Sequence, residues 1–463
     1  MDTMKKYEID MLHGSLWDKI PRYALPLAAT GVLEQLFNAS DIAVVGNFTG
    51  AKGTLAVAAV GANSPIIGVV VSLFMGLSLG ANVCIAYAIG HGDRNAVYRT
   101  VHTSIVLAGI GGILVMIAGE LFSREILKLV LVPEEVFPFA LDYLKIYFLG
   151  LPAMFFYMFA AAIFRSFGDT KTPLFVLAVS GMSNVVLNLF FVIALTMDVK
   201  GVAWATVLSN SVSALVLLWK LVKIKRLIHT NWKAIFLDGK SFARIMKTGL
   251  PAGVQSAVFS VANIVIQTAI NSLGTDVMAA SSAALTIEMF VYYVLNSFGQ
   301  ACTTFVAQNF GAKQIDRCKK AALFCLLESS IVSGMLMALL LFYGEFFLSL
   351  FASDTNVVIL GHIRLKFVFS AYVFTLLYEI MSGYLRGFGI ALIPAMLTIA
   401  GVCVTRLIYI YTVFGSHKTF TAIMLVYPIS LSLTALLIAL ALLVYRPARR
   451  YAFLEKGAKR PRY

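Results

Sequence analysis

The chain has 463 residues, of which 60% are apolar and only 13% charged, with a formal net charge of +14. A soluble globular chain carries about 45–50% apolar and about 25% charged residues. Too few charged side chains remain here to coat a water-facing surface, so the reading is an integral membrane protein. The positive balance does not indicate nucleic-acid binding, because no basic module interleaved with aromatics is present.

Apolar blocks follow one another at about 22–46, 55–89, 97–121, 136–164, 173–197, 201–221, 245–273, 277–309, 321–343, 362–385, 392–414 and 420–445. Each is long enough for a helix to cross the ~30 Å hydrocarbon layer. The expected fold is therefore an all-α integral membrane protein of about twelve transmembrane helices. No cleavable signal peptide is evident before the first block, and the first helix is expected to act as an uncleaved insertion signal. The five cysteines, Cys84, Cys302, Cys318, Cys325 and Cys403, show no metal-ligand spacing and read as reduced packing residues.

Basic residues set the orientation. The densest run, Lys220, Lys223, Lys225, Arg226, Lys233, Lys240, Arg244 and Lys247, separates two apolar halves, and a second cluster runs from Arg446 to Arg462. If the amino terminus starts inside, about 28 of the 37 Lys and Arg fall on the inner side of alternating loops. Both termini are thus expected to be cytoplasmic, with the basic stretches facing anionic membrane lipid.

The chain also repeats itself. Ala86-Tyr87-Ala88-Ile89-Gly90 is echoed by Ala307-Gln308-Asn309-Phe310-Gly311, and Arg165-Ser166-Phe167-Gly168 with Pro173 by Arg386-Gly387-Phe388-Gly389 with Pro394. Both echoes share an offset of about 221 residues, and Leu25-Pro26 and Leu250-Pro251 open the two halves. Each repeat holds an even number of helices, so the halves are expected to be parallel six-helix lobes around a central cleft. The expected division is an N-lobe at 1–221, a basic linker at 222–244, a C-lobe at 245–445 and a basic tail at 446–463.

Ionisable and amide side chains inside the apolar blocks mark the candidate site. In the first block Glu34, Asn38 and Asp41 lie near one helix face. The fifth adds Ser183, Asn184 and Asn188, and the sixth Thr206, Ser209 and Asn210. One carboxylate with amides and a hydroxyl suits a hard cation such as Na⁺, or a protonatable carboxyl. The competing reading is that the amides bond helix to helix. In the second half Glu288, Glu379 and Arg406 are the candidate buried charges, with Glu379–Arg406 the expected ion pair and Arg406 the one clear deep cation. Glu328 is expected closer to the surface. Pro26, Pro65, Pro152 and Pro251 are candidate kinks. Phe37, Tyr157, Phe290, Tyr292 and Tyr378 are candidate aromatics for a cleft that takes flat cations. No phosphate-binding loop for ATP and no zinc or serine-hydrolase motif occurs, so neither ATP drive nor enzyme chemistry is expected.

These residues, taken in order, make the chain resemble the multidrug and toxic compound extrusion (MATE) antiporters of bacteria over nearly its whole length. The carriers are Pro26 through Asp41, the run Gln300-Ala301-Cys302-Thr303-Thr304-Phe305-Val306-Ala307-Gln308-Asn309-Phe310-Gly311, Phe164-Arg165-Ser166-Phe167-Gly168-Asp169 through Pro173, Gly201-Val202-Ala203-Trp204-Ala205-Thr206, and Leu385-Arg386-Gly387-Phe388-Gly389. The resemblance implies export of amphipathic organic cations in exchange for Na⁺ or H⁺, by a monomer in the bacterial cytoplasmic membrane with no tightly bound cofactor. It also implies a cation site at the positions that read Asp41, Asn184, Asn188 and Thr206 here. Another branch of the family carries acids where this chain has Phe259 and Thr375, so that branch's second site does not carry over. The alternative is a flippase of the same superfamily moving a lipid-linked precursor, whose phosphates call for a cavity rich in Arg and Lys. A major-facilitator carrier is only faintly suggested, by Gly90-His91-Gly92-Asp93-Arg94.

Overall fold

The computed structural model describes residues 8–50, 53–223, 236–351 and 354–450. Among them there is no β-strand. The long helices are α1 (Lys19–Phe48), α2 (Gly53–His91), α3 (Arg94–Leu129), α4 (Phe137–Ser166), α5 (Lys171–Leu189), α6 (Asp198–Lys223), α7 (Gly239–Asn271), α8 (Thr275–Gly311), α9 (Ile315–Phe342), α11 (Thr355–Gly387) and α15 (Val426–Tyr445). Short helices α10 (Gly344–Ser349), α12 (Leu392–Thr398), α13 (Thr405–Tyr409) and α14 (Phe420–Met424) complete the order. The eleventh expected block is a single rod in which α12 and α13 alternate with two π-helical stretches, Ile399–Val404 and Ile410–Phe414.

Eleven segments among the described residues are long and apolar enough to cross a membrane. Helix α1 is not one of them, although its 30 residues give ample length. Its composition carries the difference: Glu34, Gln35, Asn38, Ser40, Asp41 and Asn47 interrupt it. Large apolar side chains point outward along the other rods, among them Leu114, Val179, Met182 and Leu436, as lipid-facing residues should.

The chain forms two compact units. The first gathers Ala29–Ile85 and Asp93–Met246; the second gathers Asp10–Ala28, Ala86–Gly92 and the chain from Lys247 on. Division thus falls within α1 and near the end of α2 as well as close to the basic stretch, part of which (224–235) lies outside the described residues. The tail beyond Arg450 lies outside them too.

Each unit is held by close helix packing. In the first, Phe74 of α2 and Phe155 of α4 stack with ring centroids 3.6 Å apart, and Gly112 of α3 leaves room for the backbone of Pro152. Pro26, Pro65, Pro152 and Pro251 all lie inside helices that continue past them. In the second unit, α8 and α11 approach through Gly299, Gly383 and Gly387, where any larger side chain would meet the neighbouring helix.

The repeat survives as geometry. Gly168 ends α4 at φ +88° and Gly389 ends α11 at φ +78°, a left-handed conformation open to glycine at little cost. Gly168 N–H donates to the Arg165 carbonyl (3.0 Å) and Gly389 N–H to that of Arg386 (2.8 Å); Asp169 and Ile390 then close matching bonds to Phe164 (3.1 Å) and Leu385 (3.0 Å). Likewise Gly92 donates to Ile89 (3.1 Å) and Lys313 to Phe310 (3.0 Å). The π-helical stretch Phe190–Ala194 that follows α5 has its counterpart in Ile410–Phe414.

Candidate functional site

The first unit builds its polar cluster on three helices. Asn184 and Asn188 are one turn apart on α5, just before the π-helical stretch, a feature that redirects side chains and is frequent at functional sites. Asn188 Nδ2 donates to Asp41 Oδ1 of α1 at 2.5 Å, and Thr206 Oγ1 of α6 lies 3.3 Å from Asp41 Oδ2. Asn188 Nδ2 also reaches Asn184 Oδ1 (3.2 Å), and Asn184 Nδ2 lies 3.5 Å from Thr206 Oγ1. Asp41 is 8% exposed and Asn188 fully buried. No Lys or Arg among the described residues lies within ion-pair distance of Asp41. Asn188 Oδ1 is buried without a hydrogen-bond donor.

Glu34 and Asn38 take no part in these bonds and are exposed. They share a helix face with Asp41, but Glu34 sits two turns, about 10 Å, away along the axis, and the polar groups of α5 and α6 meet α1 at the level of Asp41. Glu34 is instead within electrostatic reach of Arg165. Ser183 bonds its own helix at Val179, and Ser209 bonds at Thr206. Asp169, in the turn between α4 and α5, accepts the Thr172 N–H at 2.8 Å, and burial holds its carboxyl above the usual carboxylate range.

The second unit corrects the expected pairing. Glu379 does not meet Arg406; it lies 3.7 Å from Arg386, seven residues along the same helix α11. Arg364, nine residues into α11, forms a two-pronged bond to Glu288 of α8 (Nε–Oε1 2.7 Å, Nη2–Oε2 3.0 Å), and the two side chains are 2% and 3% exposed. Arg406 is therefore not the one deep cation. It instead has an amide, a hydroxyl and two rings for neighbours: Asn263 Oδ1 at 2.9 Å, Ser430 Oγ at 3.2 Å, Phe259 at 5.4 Å and Tyr427 at 4.9 Å. Tyr427 joins the two arginines, since its hydroxyl also takes a bond from Arg364 at 3.2 Å. Phe259 thus gives Arg406 a ring face.

Arg364 stands two residues into the apolar block at 362–385, but α11 begins earlier, at Thr355, and carries it into the interior. Val357, Val358, Ile359 and Leu360 before it were the signal that the helix starts earlier. Asn263, Tyr427 and Ser430 carried no signal beyond residue type. Glu328 is 3% exposed, deeper than expected, and neither carboxyl oxygen has a hydrogen-bond partner. Of the aromatic candidates, Tyr157 is buried, its hydroxyl 3.4 Å from the Pro173 carbonyl, and Phe37 lies against Gly181 of α5. Tyr378 is buried, while Phe290 and Tyr292 are half-buried.

The MatE family pattern matches residues 26–190 and 251–412, one stretch in each half of the chain. "Probable multidrug resistance protein YoeA" of Bacillus subtilis (strain 168) is 26% identical over 395 residues, which are 84% of this chain and 85% of that protein. "Probable multidrug resistance protein NorM" of Thermotoga maritima is 25% identical over 83% of each chain. A solved structure of an outward-facing multidrug resistance MATE family transporter of the MOP superfamily superimposes with a TM-score of 0.86 at 21% identity, over 96% of this chain and 98% of that one, which supports the fold. The chain belongs to the MatE family of multidrug and toxic compound extrusion transporters.

Proposed function

We propose that this transporter exports amphipathic organic cations in exchange for Na⁺ or H⁺, with Asp41 as the coupling group. The observation that carries the reading is the buried Asp41 carboxylate with neutral donors and, among the described residues, no positive side chain at ion-pair distance. A carboxylate in hydrocarbon is costly unless something positive accompanies it. The oxygens of Asp41, Asn184, Asn188 and Thr206 form a set that fits a hard cation, and the donor-free Asn188 Oδ1 is available to it. A proton on Asp41 would neutralise the same charge. In either case the ion and the drug favour opposite-facing states, so downhill ion entry drives drug out. Both termini are then cytoplasmic, in the inner membrane of a bacterium, and the protein acts as a monomer.

The flippase reading rests on cationic side chains. Arg364 and Arg386 are paired with Glu288 and Glu379, which leaves Arg406 among the described residues as a deep cation without a carboxylate, too few for a phosphate-bearing cargo. The test is efflux of a fluorescent organic cation from drug-hypersensitive cells, in wild type and Asp41→Asn. Loss of wild-type efflux on collapse of the Na⁺ gradient alone means sodium exchange. Loss only with a proton uncoupler means proton exchange. Full efflux from Asp41→Asn would sink the coupling role. No wild-type efflux from protein that reaches the membrane would favour the flippase.

A further inference from the structure

The second unit contains a cavity of about 510 Å³ lined by α9, α11 and the end of α15. Its walls are apolar: Leu323, Leu326, Leu377, Ile380, Met381 and Leu442. Three basic residues, Lys319, Arg446 and Arg449, also line it, and no acidic side chain does. The local sequence explains this arrangement. Arg446 stops α15 in the left-handed conformation (φ +38°), and Pro447 follows and starts a new helical turn. That turn brings Arg449 into the lining.

The cations are not equivalent. Lys319 is already bonded to Asp316 at 2.8 Å, and Arg446 spends Nε on the Leu443 carbonyl at 2.6 Å. Arg449 is exposed and its side chain has no hydrogen-bond or ion-pair partner among the described residues. A groove with hydrocarbon walls and a cationic lining, near the start of α9 and the end of α15, matches the chemistry of one amphiphile: two acyl chains beneath a phosphate.

We infer that this groove binds an anionic phospholipid of the surrounding bilayer, its acyl chains against α9, α11 and α15 and its phosphate at Arg449, Arg446 and Lys319. The inference does not depend on the exchange reaction. The test is native mass spectrometry of the full chain in mild detergent, titrated with phosphatidylglycerol or phosphatidylcholine of identical acyl chains, and with glycerol 3-phosphate as the free headgroup. Phosphatidylglycerol is expected to be retained in preference to phosphatidylcholine, and glycerol 3-phosphate to leave it in place. Lys319→Ala with Arg449→Ala, both exposed, should weaken that retention roughly 30-fold. Leu323→Trp narrows the groove at a side chain that is 54% exposed, and should weaken it too while leaving the melting temperature unchanged. Four results would each overturn the site: equal retention of the two lipids, an unaffected double variant, an unaffected Leu323→Trp protein, or displacement by glycerol 3-phosphate, which would make it a free-anion site.

Discussion

The two units share a repeat and differ in the charge that each places ahead of its corresponding π-helical stretch. In the first, α1, which carries Pro26 within it, presents Asp41 to amides and a hydroxyl ahead of the π-helical stretch Phe190–Ala194. In the second, the matching helix presents Asn263 to Arg406, which sits just before the corresponding stretch Ile410–Phe414. A carboxylate without a cation stands on one side of the comparison and a guanidinium without a carboxylate on the other. The Asp41 cluster is left with a negative charge that a mobile cation can match. The Arg406 cluster is closed by an amide, a hydroxyl and ring faces, and the neighbouring Arg364 is neutralised by Glu288. On the proposed coupling role of Asp41, one backbone plan holds an exchangeable charge in one copy and a fixed one in the other.

The sharpest way to break this contrast is to unpair the fixed charge. Glu288→Gln leaves Arg364 buried without its carboxylate, and should destabilise the protein by about 3–5 kcal/mol, read as a fall in membrane yield and melting temperature. Replacement of both partners by apolar residues of similar volume should recover most of that loss. If Glu288→Gln has wild-type stability, the second unit's charges are not fixed by pairing.

A smaller effect is expected in the first unit. Asn188→Leu removes the closest donor to Asp41 and one oxygen of the cluster. A hydrogen bond to a charged group contributes about 1.5–3 kcal/mol, so the cation concentration for half-maximal efflux should rise roughly 10- to 150-fold, with folding little changed. An unchanged cation dependence would make Asn188 a packing residue.

The least effect comes from the pairing that the sequence suggested and the structure does not contain. Double-mutant cycles on melting temperature should give a coupling within about 0.5 kcal/mol for Glu379 with Arg406, and a measurable one for Glu379 with Arg386. The reverse order would restore the original pairing.

The membrane class, the helical fold and the repeat were legible because each depends on local rules. Hydrocarbon demands long apolar helices, and the recurring Arg-x-x-Gly turns at 165–168 and 386–389 need glycine at a positive φ whatever surrounds them. The convergence of Asp41, Asn184, Asn188 and Thr206 was legible as well, since a buried polar group in an apolar helix must find another. What α1 did with its polar face was not. Helical spacing grouped Glu34 and Asn38 with Asp41, but which turn of the helix meets α5 and α6 is a matter of depth, and spacing carries none.

By itself the sequence determined the number and kind of helices to within one, the internal repeat and the family, because backbone satisfaction in lipid and turn chemistry leave few alternatives. Only the tertiary structure decided which charges neutralise each other. Arg364 took Glu288 and Arg386 took Glu379, while Arg406 had Asn263, Ser430 and two rings for company. Glu288 and Arg364 stand 76 positions apart on different helices, and helix packing sets the few ångströms between them, whereas Glu379 and Arg386 are seven positions apart on α11.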